Sequence, residues 1–222
     1  MAVGSILNIT YLTTECLSIL DPQAVLRLPY RRDHIPDEHI RNQVASCFAA
    51  VLGKTRREVV ALLPQVMPSF GKLRIIDGDS IRSMSACGDG SGAERNMSFI
   101  RYEIQTRRIV SDPWVSQISY GRLERVLVCI FPKSKVLGPV STKTRLLAVI
   151  TPCTNTQGKD ASIEITTYRG MGTSIVTDLQ SIVAVVGRVE SRGLWTVIDR
   201  TGGLIHPEFV SDDEGLEQID DE

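Results

Sequence analysis

Asp77, Gly78 and Asp79 form the arrangement closest to enzyme chemistry in this 222-residue chain. Two carboxylates at the end of a strand can hold Mg²⁺, and polynucleotidyl transferases of the ribonuclease-H-like type place their first acid on such a strand. The further acids that architecture needs have no selected counterpart. Asp178, Asp199 and Glu103 are available, but spacing singles out none of them. Asp-Gly after a strand is most often a turn. A divalent-metal nuclease or strand-transfer remnant using Asp77 and Asp79 is therefore the alternative reading, and no catalytic residue is assigned.

Other reactive side chains are too scattered to form a local site. His34 and His39 are split by Pro36, His206 is remote, and no metal site is expected from them. Gly53-Lys54-Thr55 resembles the end of a phosphate loop, but Phe48 stands where that loop requires glycine, so Gly53 reads as a helix stop. Cys16, Cys47, Cys87, Cys129 and Cys153 form no Cys-x-x-Cys pair, which suits reduced thiols in a nuclear or cytoplasmic, intracellular protein. The N-terminal residues lack a basic secretory leader, no apolar run approaches a membrane span, and no small-molecule cofactor is expected.

Charge is the remaining lead. A net charge of −1 conceals a surplus of eight cations over residues 31–150 and seven acids without a base over residues 211–222. Arg101, Arg107, Arg108, Arg122, Arg125, Lys133, Lys135, Lys143 and Arg145 crowd into one region beside Tyr102, Trp114 and Tyr120. Lys and Arg neutralise phosphates and aromatic rings offer stacking faces, so these nine cations with Tyr120 are the expected nucleic-acid contacts. About six phosphate contacts would give log K a slope near −5 against log salt. The competing reading is a solvated β surface whose cations protect sheet edges. The acidic tail is expected to compete with nucleic acid for the basic face. Trp114, Tyr120 and Trp195 alone are too few to place a methyl-lysine cage.

The elements that position these residues change character along the chain. Ile6 to Leu12 suits a strand or a helix, and Asp21-Pro22 reads as a helix start running to Leu28. Pro36-Asp37-Glu38 opens a helix with Ile40, Val44, Cys47, Phe48, Val51 and Leu52 on one face. Thr55 and Glu58 form a capping-box signature for a second, stopped by Pro64. The pair superficially suggests a DNA-reading helix-turn-helix, but packing helices are the more frequent case. From Lys72 onward short strands dominate: Lys72–Ile76, Met97–Gln105, Ile118–Phe131, Thr144–Thr151, Ser162–Tyr168, Ile182–Val189 and Leu194–Ile198. Thr201-Gly202-Gly203 should turn the chain into one more, and Ser83–Gly92 reads as a loop. Ile118–Phe131 is apolar on both faces past Val126 and should be central. The expected fold is α+β: a helical N-terminal segment over residues 1–68, an antiparallel barrel-like β domain over 69–210 and a disordered acidic tail over 211–222.

Tyr120-Gly121-Arg122-Leu123-Glu124-Arg125-Val126-Leu127-Val128 and the run from Ile175 to Gly202 carry a resemblance. They are similar to uncharacterised fungal proteins encoded beside or within DNA transposons, and to the β-rich module that follows the transposase region in CACTA-type elements. There a Tyr-Gly strand start is followed by an apolar strand and a Trp-containing one, as Val185, Val186 and Trp195 follow here. Phe70-Gly71-Lys72-Leu73-Arg74 through Arg101-Tyr102-Glu103 resembles the fungal proteins only. The resemblance implies a mobile-element accessory module rather than a catalytic core, and the basic face from Arg101 to Arg145 would let this non-catalytic module bind DNA or chromatin-associated partners. By fold analogy alone, the barrel would be of the bromo-adjacent-homology kind. A protein-interaction module or a decayed element without nucleic-acid affinity is the third reading.

Overall fold

Apolar stretches too short for packed helices, and rich in Val, Ile and Leu, gain most by pairing edge to edge and burying one face. They do so here. The computed structural model of the protein describes residues 20–21, 24–75, 80–87, 97–106, 115–156 and 165–201. The first elements are β1 (Leu20–Asp21), β2 (Ala24–Arg31), α1 (Glu38–Leu52), α2 (Arg56–Leu62), β3 (Ser69–Ile75) and β4 (Ser80–Arg82). Then come β5 (Phe99–Thr106), β6 (Val115–Ile130), β7 (Thr144–Thr154), β8 (Thr167–Tyr168) and β9 (Gly170–Met171). β10 (Ile175–Asp178), β11 (Ile182–Val185), β12 (Gly187–Ser191) and β13 (Leu194–Ile198) complete the set. Among the described residues, no helix is long and apolar enough to cross a membrane.

A ten-stranded sheet forms the body, and β12, β13 and β8 form a three-stranded satellite. Both are antiparallel throughout. β6 is the central strand. One of its edges pairs with β5 and then β3, laid end to end, and the other pairs with β7. The expected barrel is not closed: among the described residues, no ladder joins the β1–β2 end to β11.

β6 also separates two cores. Leu123, Val126 and Val128 enter a cluster with Leu26, Phe70, Leu73, Ile81, Ile100 and Tyr102. Leu127, Cys129 and Phe131 point the other way, against Val44, Phe48, Val59 and Met67 of the helical side. Phe48 meets Phe131 edge to face, with centroids 4.8 Å apart.

The helix expectations hold at both local signals. Asp37 accepts a hydrogen bond from Ile40 N at 2.8 Å, and Gly53 takes φ +60 just past α1. Thr55 and Glu58 close the capping box at the start of α2. The helix expected from Asp21 is corrected. Ala24–Arg31 is a strand, because its apolar residues find partners in β3 instead: Leu26 opposite Leu73 and Ala24 opposite Ile75. Ile6–Leu12, the acidic tail and the turn at Thr201-Gly202-Gly203 with its following strand fall wholly or partly outside the described residues.

Arg41 fastens the helical pair. Its guanidinium donates to Pro64 O at 2.7 Å and Leu63 O at 3.4 Å, with Val60 O and Gln65 O each at 3.5 Å. These carbonyls end α2, where the helix dipole favours a cation. Arg41→Met is expected to cost about 2 kcal/mol, since charge-assisted hydrogen bonds vanish while carbonyls stay half-buried. Urea unfolding measures it, and a loss below about 0.5 kcal/mol, the size of an ordinary surface change, would contradict the assignment.

Candidate nucleic-acid interface

The cations expected to form one basic face do not share one fate. Arg101 lies across from Tyr120 in the β5–β6 ladder, and both side chains turn inward to Asp199, just after β13. Arg101 Nη1 reaches Asp199 Oδ2 at 3.4 Å and also donates to Thr201 Oγ1, while Nη2 meets Glu103 Oε1 at 3.2 Å. The Tyr120 hydroxyl donates to Asp199 at 2.8 Å. Burial alone would raise the Asp199 pKa, but hydrogen bonds from Thr201 and Tyr120, together with Arg101, hold it below the usual carboxylate range. Tyr120 is pushed up to about 12, by burial first and then by this carboxylate.

Arg122 pairs with Glu124 at 2.9 Å beside a β-bulge, and Glu124 also accepts from Thr151 at 2.6 Å. Arg125 Nη1 sits 3.0 Å from His34 Nε2. Burial, then Arg125 and Arg31, lower the His34 pKa, which favours the neutral ring. Arg145 is half-buried, with its Nε unpaired among the described residues. Lys133, Lys135 and Lys143 alone stand exposed, on the β6–β7 connection closed by Phe131 N donating to Lys143 O at 3.1 Å. Arg107, Arg108 and Trp114 lie outside the described residues, as do Asp77 and Asp79. Among the described residues, no three His, Cys, Asp or Glu side chains are placed to hold a metal ion.

Register gathers a second set of cations that linear density did not reveal. Arg27 on β2 is opposite Lys72 on β3, which is opposite Arg82 on β4. Arg74 lies two residues further along β3. The intervening row is Leu26, Leu73 and Ile81, each 1% exposed, so the cations occupy the outer face by strict alternation. Strand spacing puts all four within roughly 10 by 7 Å. Arg27 and Arg74 are exposed, and Lys72 and Arg82 are half-buried. Among the described residues, no carboxylate contacts Arg27, Lys72 or Arg74. The sequence signal was present in Lys72-Leu73-Arg74-Ile75, where cations alternate with apolar residues. Only the fold shows which strands flank it.

Elsewhere, a cavity of about 340 Å³ opens beside Ser119, Tyr120, Cys153, Thr156 and Thr166. Burial pushes the Cys153 thiol up to about 11, so at neutral pH it remains protonated and poorly nucleophilic. α2 has seven residues, and Val59 and Leu63 bury its inner side on the sheet.

No protein-family model, curated protein or solved structure matches the chain. Tyr120, Val186 and Trp195 belong to one cluster between the satellite and the main sheet.

Proposed function

We propose that this protein is a non-catalytic nucleic-acid-binding module that grips the phosphate backbone through Arg27, Lys72 and Arg74. The observation that carries this reading is the cluster of Arg27, Lys72 and Arg74 on one face, with no carboxylate among the described residues against them. Like charges directly opposite one another destabilise a sheet, so Arg27 facing Lys72 favours an anion above them. Edge protection does not account for Lys72 and Arg74. β3 has β2 on one side and β4 and β6 on the other, so Lys72 and Arg74 guard no edge. Lys133, Lys135 and Lys143 add mobile charge for a longer ligand.

Phosphate contacts position a protein without reading bases, which suits an accessory module of a mobile DNA element, the setting implied by the resemblance. A barrel-like shell is supported by Leu26, Leu73, Ile81, Ile100 and Leu146, which come from five strands and meet in one core. The test is anisotropy of a labelled DNA duplex titrated with the full chain between 50 and 200 mM salt. The expected result is binding that weakens steeply with salt. Lack of binding at the low end, or a flat response, ends the nucleic-acid reading.

A further inference from the structure

Arg188, on β12, sits in surroundings unlike those of the other arginines among the described residues. Its guanidinium carbon lies 3.9 Å from the Phe99 ring centroid and 3.9 Å from that of Trp195. Nη1 donates to the Tyr168 hydroxyl at 3.0 Å. Phe99 and Tyr168 are 2% and 1% exposed, and Trp195 is half-buried against the same cluster. Among the described residues no carboxylate contacts Arg188, and its remaining N–H groups have no partner and are not among the buried unpaired atoms. Arg41 provides the contrast within the same molecule, since it spends its donors on backbone carbonyls.

A guanidinium stacked on aromatic rings has its flat faces closed and its rotamer settled, while its in-plane N–H fork stays open. That fork matches two oxygens of one anion, and the ordering cost is already met before a ligand arrives. Burial raises the Tyr168 pKa, while the hydrogen bond and charge of Arg188 act on that hydroxyl in the opposite direction.

We propose that Arg188, held between Phe99 and Trp195, is the anchor of an oxyanion-binding site that takes a phosphate ester or a carboxylate. The site is separate from the β2–β3–β4 face and does not rest on the nucleic-acid reading.

Fluorescence of Trp195 tests it, in the full chain carrying Trp114→Phe so that a single indole reports. Pyrophosphate, inorganic phosphate and acetate are titrated at constant ionic strength against a chloride control. The expected result is a saturable response to phosphate or acetate. Phosphate alone assigns a phosphate ester, and acetate as well extends the site to carboxylates. Arg188→Gln should weaken binding at least about tenfold, and Arg188→Lys nearly as much, because an ammonium is a point charge without a fork. The Arg188 Nε–Hε signal of the unsubstituted chain should shift on adding pyrophosphate, which answers the question even where a variant folds poorly. Responses no larger than chloride, an unmoved Nε–Hε signal, or undiminished binding by Arg188→Gln would overturn the proposal.

Discussion

Exchanging Lys72 and Arg74 together for glutamine is expected to remove about two thirds of the salt dependence of DNA binding. Each phosphate neutralised releases condensed counterions and contributes about −0.9 to the slope of log K against log salt. Three contacts give about −2.7, which is roughly a 40-fold loss of affinity from 50 to 200 mM salt. One contact gives about −0.9, or roughly 3.5-fold over the same range. Folding should not suffer. Lys72 lies directly opposite Arg27 and Arg82, so removing its charge relieves repulsion. The informative comparison is Arg101→Gln, since both Arg101 terminal nitrogens are already engaged by Glu103, Asp199 and Thr201. It should leave the slope where it was. A double variant with the parental slope, or an Arg101 variant that flattens it, would shift the interface back to residues 101–145.

Gly121→Ala is the substitution expected to damage the fold most for the fewest atoms. Gly121 lies in the middle of β6, rather than at a strand start, flanked by Ile100 of β5 and Pro152 of β7. A Cβ there would fall 2.7 Å from Ile150 Cγ2, 2.8 Å from the Thr151 carbonyl oxygen and 3.2 Å from Pro152 Cα. Backbone atoms paired into a ladder cannot move aside singly, so the strain spreads through β6 and β7. Overpacking of this kind costs about 3 kcal/mol, against a gain of about 0.5–1 kcal/mol from a stiffer unfolded chain. Gly187→Ala is the control, because its Cβ would meet nothing closer than Ile198 Cβ at 3.5 Å. Urea midpoints compare the two. Equal midpoints would mean that β6 and β7 are further apart than described.

Sequence reading succeeded where the cause was local. The apolar stripe of α1, the Thr55–Glu58 box and the alternation of Ile100 and Tyr102 with Arg101 and Glu103 each need only a few neighbouring residues. The centrality of β6 also showed, because Leu127 and Val128 are apolar on opposite faces and each has a core to enter. β2 was misread because Pro22 looks like a helix start, while its actual partner, β3, is some forty residues away. The run Ile182–Val189 conceals a change of sheet. Val185 pairs with Ile100, Val186 N donates to Phe99 O at 2.9 Å, and Gly187 already pairs with Ile198. The basic face was the largest gap. Cations dense along the chain meet Glu103, Glu124 and Asp199, which neighbouring or distant strands deliver. Lys133, Lys135 and Lys143 stay exposed, and register alone brings Arg27 beside Lys72 and Arg74. The Arg188 site had no linear signal, since Phe99, Tyr168 and Trp195 join it from three strands.

The helical pair is spliced into a ladder, not appended to it. Arg31 ends β2 opposite Ser69, the first residue of β3, and Ser69 also faces Leu127 across the other edge. A cut between Pro68 and Ser69 would therefore tear a seam inside the ten-stranded sheet, leaving each piece with a row of bare amides and carbonyls. Fragment complementation is the natural outcome: two polypeptides that precipitate when refolded apart, and that recover a single cooperative melt when renatured in the same tube.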